Sequence, residues 1–151
     1  SAKFQLHNNA CALRMDQNIF DENSLAFGTM LDSSLQTYDL RNTSTPKAHI
    51  KGAHYSTITR VKYSPHTQHL IATSSTDRTL RIWDMRDSNG GDNGANSAQV
   101  EEEAYGGKVS TFKSQKMEDW VNDIDWNVHE VGLIAMSCND HLVKAYNIRE
   151  D

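Results

Sequence analysis

The chain has 151 residues, of which 23% are charged and 37% hydrophobic, with a formal net charge of −5. No run approaches the roughly 20 apolar residues that a membrane-crossing helix needs, and the first residues lack a basic-then-apolar leader pattern, so membrane insertion is not expected. Two cysteines, Cys11 and Cys138, are too few for a disulfide scaffold and are expected to be buried thiols of an intracellular protein, which also makes the sequon Asn42-Thr43-Ser44 unused.

Taken from the N-terminus, an alternating strand with Cys11, Leu13 and Met15 leads through a polar turn at Asp16 to Asn23 into Leu25-Ala26-Phe27-Gly28-Thr29, a turn at Asp32 and a strand ending in Tyr38-Asp39. A second copy follows. Val61 and Tyr63 alternate with Arg60 and Lys62, then come Leu70-Ile71-Ala72-Thr73-Ser74, a turn at Asp77, and Leu80 and Ile82 alternating with Thr79 and Arg81 before Trp83-Asp84. Period-two alternation is the pattern of strands with one buried face, and Asp in a short turn bonds its own local backbone. Residues 87–115 form a glycine-, asparagine- and acid-rich stretch that includes Glu101, Glu102 and Glu103, the composition of a long surface insertion. The third copy has Val121, Ile124 and Trp126, then Leu133-Ile134-Ala135-Met136-Ser137, Asp140 and Tyr146-Asn147. Leu to Asp is seven residues and Asp to aromatic six in all three copies.

The segment from Gly52-Ala53-His54 to Ile82-Trp83-Asp84 resembles a WD40 repeat, the four-stranded blade of a β-propeller. The resemblance implies an all-β fold with about three blades, at residues 7–42, 52–86 and 119–149, of a larger, seven-bladed propeller. It also implies a hydrogen-bonded structural tetrad of His54, a strand hydroxyl at Ser74, Asp77 and Trp83. On that reading His54 and Asp77 maintain the fold and are not a catalytic pair.

A closer resemblance rests on Tyr38 to Asn42, Val61-Lys62-Tyr63-Ser64-Pro65-His66, Ser74 to Arg78, the acidic insertion and Asp123-Ile124-Asp125-Trp126-Asn127. These look like the last three blades of the retinoblastoma-associated, Msi-type histone-binding propellers, or of related fungal transcriptional modulators in histone deacetylase corepressors. The family's paired prolines are absent from the insertion. The resemblance implies a non-enzymatic, nuclear scaffold whose partners are proteins of a multisubunit complex, with Glu101, Glu102 and Glu103 as candidate contacts to a basic partner such as a histone. Sequence-specific nucleic-acid binding is not expected. The alternative is a substrate receptor of a cullin-type ubiquitin ligase, because Tyr38-Asp39-Leu40-Arg41 and Trp83-Asp84-Met85-Arg86 resemble the boxes of such receptors, making Arg41 and Arg86 candidate partner-binding residues.

Catalytic, cofactor and metal sites are not expected. His66 and His69 lack a third ligand at useful spacing. Gly106-Gly107-Lys108 misses the first glycine and the hydroxyl of a phosphate loop. Charge is uneven: residues 47–86 hold seven basic and two acidic side chains, while residues 120–151 hold two and six. Such a distribution suits solvated faces or charged protein partners.

Overall fold

The structure, a computed structural model, describes residues 5–6, 11–86 and 110–149, with the side chains of 110–114 set aside. Three antiparallel sheets follow one another along the chain. The first is β1 (Ala12–Gln17), β2 (Ser24–Thr29), β3 (Leu35–Asp39) and β4 (Ala48–Ile50). The second is β5 (Ile58–Tyr63), β6 (Leu70–Ser75), β7 (Thr79–Asp84) and β8 (Ser110–Lys116), and the third β9 (Val121–Trp126), β10 (Leu133–Cys138) and β11 (Val143–Asn147). Each sheet is a meander in chain order, and the sheets stack face to face.

The middle sheet is buried on both faces, so the one-sided alternation expected for β7 gives way to continuous burial from Leu80 to Asp84. Its two faces still alternate. Ile58, Val61, Tyr63, Ile71 and Trp83 join Ala26, Leu35, Ile50 and Ala53 of the first sheet and its exit loop. Ala72, Leu80 and Ile82 join Val121, Ile124, Trp126, Ile134, Met136 and Cys138 of the third sheet. On the far side of the first sheet, Leu25, Phe27 and Tyr38 cluster with Leu6, the Phe27 and Tyr38 rings meeting edge-on at 6.0 Å.

Identical sequence spacing does not give identical register. Ile71 pairs with Trp83 and Ile134 with Tyr146, but in the first sheet it is Leu25 that pairs with Tyr38. The turn explains the slip: Thr29 N donates to Ser34 O and Cys138 N to Leu142 O, so the first turn spans 30–33 and the third only 139–141. Because side chains alternate between faces, a slip of one residue turns the strand over relative to its partner. Leu25 is therefore buried, whereas Leu70 and Leu133, at the same place in the sequence repeat and so expected at the same depth, are half-buried and the fully buried residues are Ile71 and Ile134.

Three further expectations are corrected. The stretch assigned to the insertion, 87–115, includes most of β8, which pairs with β7 from Asp84↔Ser110 to Thr79↔Lys116. A polar sequence suffices there because an outermost strand needs mainly to satisfy its neighbour's backbone. Second, the first sheet extends past residue 42 to β4, between the two expected repeats. Third, Cys11 is exposed and only Cys138 is buried. Cys11 lies before β1, and Met15 further along is 59% exposed because it faces away from the second sheet.

At Gly28 the backbone of the first sheet lies close against the second. A Cβ there would lie 2.8 Å from Ile58 Cγ2 and 2.9 Å from Val61 Cγ2. Both neighbours are β-branched and held by packing, so they yield poorly. Gly28→Ala is expected to destabilise the fold by about 1–3 kcal/mol. Denaturant unfolding of the full-length protein would measure this, and an unchanged midpoint would contradict the packing described.

Candidate functional site

The polar centre of the molecule is the β6–β7 turn. His54, arriving from the β4–β5 loop, places Nδ1 3.0 Å from Asp77 Oδ2 and Nε2 2.7 Å from Thr73 Oγ1. Trp83 Nε1 donates to the same Thr73 oxygen at 2.7 Å. The directions are set by chemistry: the indole donates to the hydroxyl, the hydroxyl to Nε2, and Nδ1–H to the carboxylate. Asp77 Oδ2 also accepts Tyr55 N–H at 3.0 Å, and Oδ1 accepts the Thr79 hydroxyl at 2.6 Å and Thr79 N–H at 2.9 Å.

The hydroxyl is Thr73, not the expected Ser74. Ser74 lies on the opposite face, where its Oγ is 2.8 Å from Thr59 Oγ1. Alternation along β6 carried the missed signal, since Thr73 is two residues from Ile71, the partner of Trp83. Thr79 was also missed.

The sister turns solve the same problem differently. In the first sheet Asp32 accepts bonds from Thr29 and Ser34, and Tyr38 OH donates to Gln36 Oε1 at 3.0 Å. In the third, Asp140 accepts Leu142 N–H at 3.1 Å and Lys144 Nζ at 2.8 Å. Each Asp is followed by a non-glycine residue with positive φ, namely Ser33 (48°), Arg78 (69°) and His141 (64°). The local bonds of the aspartate hold that left-handed residue in place.

Burial is the largest influence on His54 and, with the Arg81 charge, outweighs Asp77 in keeping the imidazole's pKa below its ordinary 6.5. For Asp77 burial alone would push upward, but hydrogen bonds from His54, Thr79 and Tyr55 N–H win and hold the carboxyl far below its usual 3.8. A neutral imidazole with both nitrogens engaged and an ionised carboxylate surrounded by donors have no free proton-transfer capacity for a substrate. Removing the carboxylate in Asp77→Ala should strand His54 Nδ1–H, Tyr55 N–H and the Thr79 hydroxyl, costing about 1–3 kcal/mol. Asp140→Ala, with fewer donors to strand, should cost less in the same thermal unfolding experiment; equal losses would argue against the network.

The pH dependence has a definite sign. Below pH 6.5 the unfolded chain protonates this histidine while the folded chain resists, so stability should fall as pH drops from neutrality, and Asp77 adds a further loss only below 3.8. A His54→Asn variant should be less stable at pH 7 yet show a flatter decline between pH 6.5 and 4 in thermal melts. A parallel decline in both proteins would remove His54 from the explanation.

At the opposite end of the sheets the residues that follow β3, β7 and β11 share one geometry. Leu40 N, Met85 N and Ile148 N donate to Asn23 O, His69 O and Gly132 O at 2.7, 2.8 and 2.9 Å. Arg41 folds back on Asp39, with Nε to Oδ1 at 2.9 Å and Nη2 to Oδ2 at 2.6 Å, holding that carboxyl down at about 2. Arg86 grips Asp84 in the same way. Both side chains remain about two-thirds exposed, at 66% and 67%. Glu101, Glu102 and Glu103, like Gly106 to Lys108, lie outside the described residues. His66 is used structurally, its Nε2 donating to Asn127 O at 2.9 Å across the second and third sheets. No cluster of three metal-ligating side chains occurs among the described residues.

Stacked antiparallel meanders with this turn network are blades of a WD40-type β-propeller. Residues 44–84 match the family "WD domain, G-beta repeat", which covers β4 through β7 and the His54 network. The chain is similar to a Chaetomium globosum protein named DNA damage-binding protein CMR1, 33% identical over 134 residues, covering 88% of this chain and 22% of that protein. It is 38% identical over 60 residues to the RbAp48-related WD40 repeat-containing protein prw1 of Schizosaccharomyces pombe, covering 38% of this chain and 14% of that protein. It is 34% identical over 80 residues to the E3 ubiquitin-protein ligase COP1 of Arabidopsis thaliana, covering 53% and 11%. The chain thus spans less than a quarter of the length of each.

Proposed function

We propose that this chain is part of a non-enzymatic interaction subunit of a nuclear chromatin or transcriptional corepressor assembly of the histone deacetylase type. The observation that carries the reading is the inward use of the His54–Asp77 pair: the groups that resemble catalytic machinery are consumed in holding a blade together. WD repeats are in general non-enzymatic scaffolds, and the similarity to the RbAp48-related prw1 supports the chromatin setting. Glu101, Glu102 and Glu103 are the candidate contacts to a basic partner such as a histone, and the repeat units expected at 7–42, 52–86 and 119–149 are proposed with β4 added to the first and β8 to the second. Loop charges contribute little to folding but guide association. Replacing the three glutamates with Gln should therefore weaken pull-down of histones or corepressor subunits without lowering thermal stability, and the loss should be larger at low salt. Equal recovery from native and variant protein at both ionic strengths would reduce the acidic segment to a linker.

A second reading, as substrate receptor of a cullin-type ligase, is favoured by the repeated Asp-x-Arg forks and by the similarity to a protein named as a ubiquitin ligase. Affinity purification of full-length protein with and without Arg41→Ala and Arg86→Ala separates the two readings. Loss of ligase adaptors in the double variant supports the receptor, and retention of deacetylase subunits supports the scaffold.

A further inference from the structure

Arg81 is 9% exposed. Its Nη1 donates to Ala53 O at 2.9 Å, its Nε is buried without any acceptor, and its Cζ lies 5.2 Å from the centroid of the Tyr55 ring. No carboxylate among the described residues stands within ion-pair distance of it. By contrast Arg41, Arg60 and Arg86 each have one, though all three are far more exposed. A buried guanidinium without a counter-ion is an expensive arrangement, because desolvation is incurred and no Coulombic partner offsets it. The sister residues in the sequence repeat are Gln36, four residues after Asp32, and Lys144, four after Asp140, which is paired with that aspartate. The fold accepts a neutral residue or an internally paired one there, so it does not require an unpaired charge.

Tyr55 beside it is 90% exposed, although its backbone is pinned by Asp77. A large aromatic held out in water over a cation is how a flat, rigid recognition wall is presented. Exposed Arg78 follows Asp77 in the same turn, and Lys51 lies in the loop that carries Tyr55. This basic corner sits on the segment 47–86, with seven cations to two anions.

We propose that Arg81 and Tyr55 form a receptor for a carboxylate side chain on an acidic segment of a partner protein, with Arg81 donating to the carboxylate and the Tyr55 ring packing on the residue beside it. The site uses none of Glu101, Glu102, Glu103, Arg41 and Arg86, and recognises the opposite charge to the one those glutamates would. Arg is suited to the role because its planar donors match a carboxylate, whereas a lysine supplies only a point charge.

The test uses full-length protein and a fluorescein-labelled peptide of alternating Glu and Leu, with its Gln and phosphoserine counterparts as further arms, read by anisotropy. The Glu peptide should bind in preference to the Gln peptide, and Arg81→Gln should weaken it by about tenfold or more, a charged hydrogen bond's worth. Tyr55→Ala should weaken it several-fold and Tyr55→Phe little, since the ring and not the hydroxyl is used. Gln36 makes Arg81→Gln compatible with the fold; should that variant nevertheless melt early, Tyr55→Ala at the exposed position still decides. Binding lost equally in Lys51→Gln and Arg78→Gln would mean diffuse attraction and overturn the site. So would preference for the phosphoserine peptide alone, or variants that change melting temperature and leave peptide affinity unchanged.

Discussion

Everything in this molecule depends on the requirement that a sheet stacked between two others bury both faces. The solution is a division of size. The first sheet turns Ala26 and Gly28 toward the second, and the inner strand there answers with Ile58 and Val61. The second turns Ala72 and Ser74 toward the third, which answers with Val121, Ile124 and Trp126. Small residues on one face and branched or aromatic ones on the next let neighbouring sheets close to contact without voids. Side chain to main chain bonds then lock the inner strands together: Arg14 Nε to Thr59 O at 2.6 Å, Thr59 Oγ1 to Val121 O at 2.6 Å, and Trp126 Nε1 to Lys62 O at 3.2 Å.

With both faces used for packing, polar groups inside a blade have no access to water and must satisfy one another. That is the physical reason for the chain from Trp83 through Thr73 and His54 to Asp77. It leaves this histidine and aspartate, at hydrogen-bond distance, engaged with groups of their own blade. The same constraint is met with cheaper parts in the sister sheets, by Gln36 and Tyr38 in one and Lys144 in the other.

The spacing of Leu, Asp and aromatic made the three blades legible, and the turn aspartates stand where the sequence puts them. Register was not legible, because one residue more in the turn after Thr29 flips β2 against β3 without altering the spacing that was read. That slip accounts for the unequal depths of Leu25, Leu70 and Leu133. Ser74 and Thr73 are indistinguishable in sequence for the same reason, since two neighbouring hydroxyls differ only in the face they take. Strand β8 was hidden because its sequence is polar and joined to an acidic stretch; an outer strand is specified by the backbone beside it more than by its own composition. The alternation along β7 assigns Arg81 to a solvent face, which holds for a sheet with one wet face and fails for a sheet with none.

The uneven charge seen along the chain now divides into two parts. Some of it is spent between blades: Arg60 Nε lies 2.9 Å from Asp123, too bent for a hydrogen bond, and Lys62 Nζ lies 3.5 Å from Asp125, so the basic middle blade leans on its acidic neighbour. At these exposures such pairs give little stability and mainly fix which blade sits beside which. Some is neutralised within a blade, as in the forks of Arg41 and Arg86. Among the described residues Lys51, Arg78 and Arg81 stand without a carboxylate partner and lie with Tyr55 at the turn end of the sheets. A stack whose faces are committed to neighbouring sheets has only its ends and loops with which to recognise other molecules, and it is at one of those ends that the unpaired charge is found.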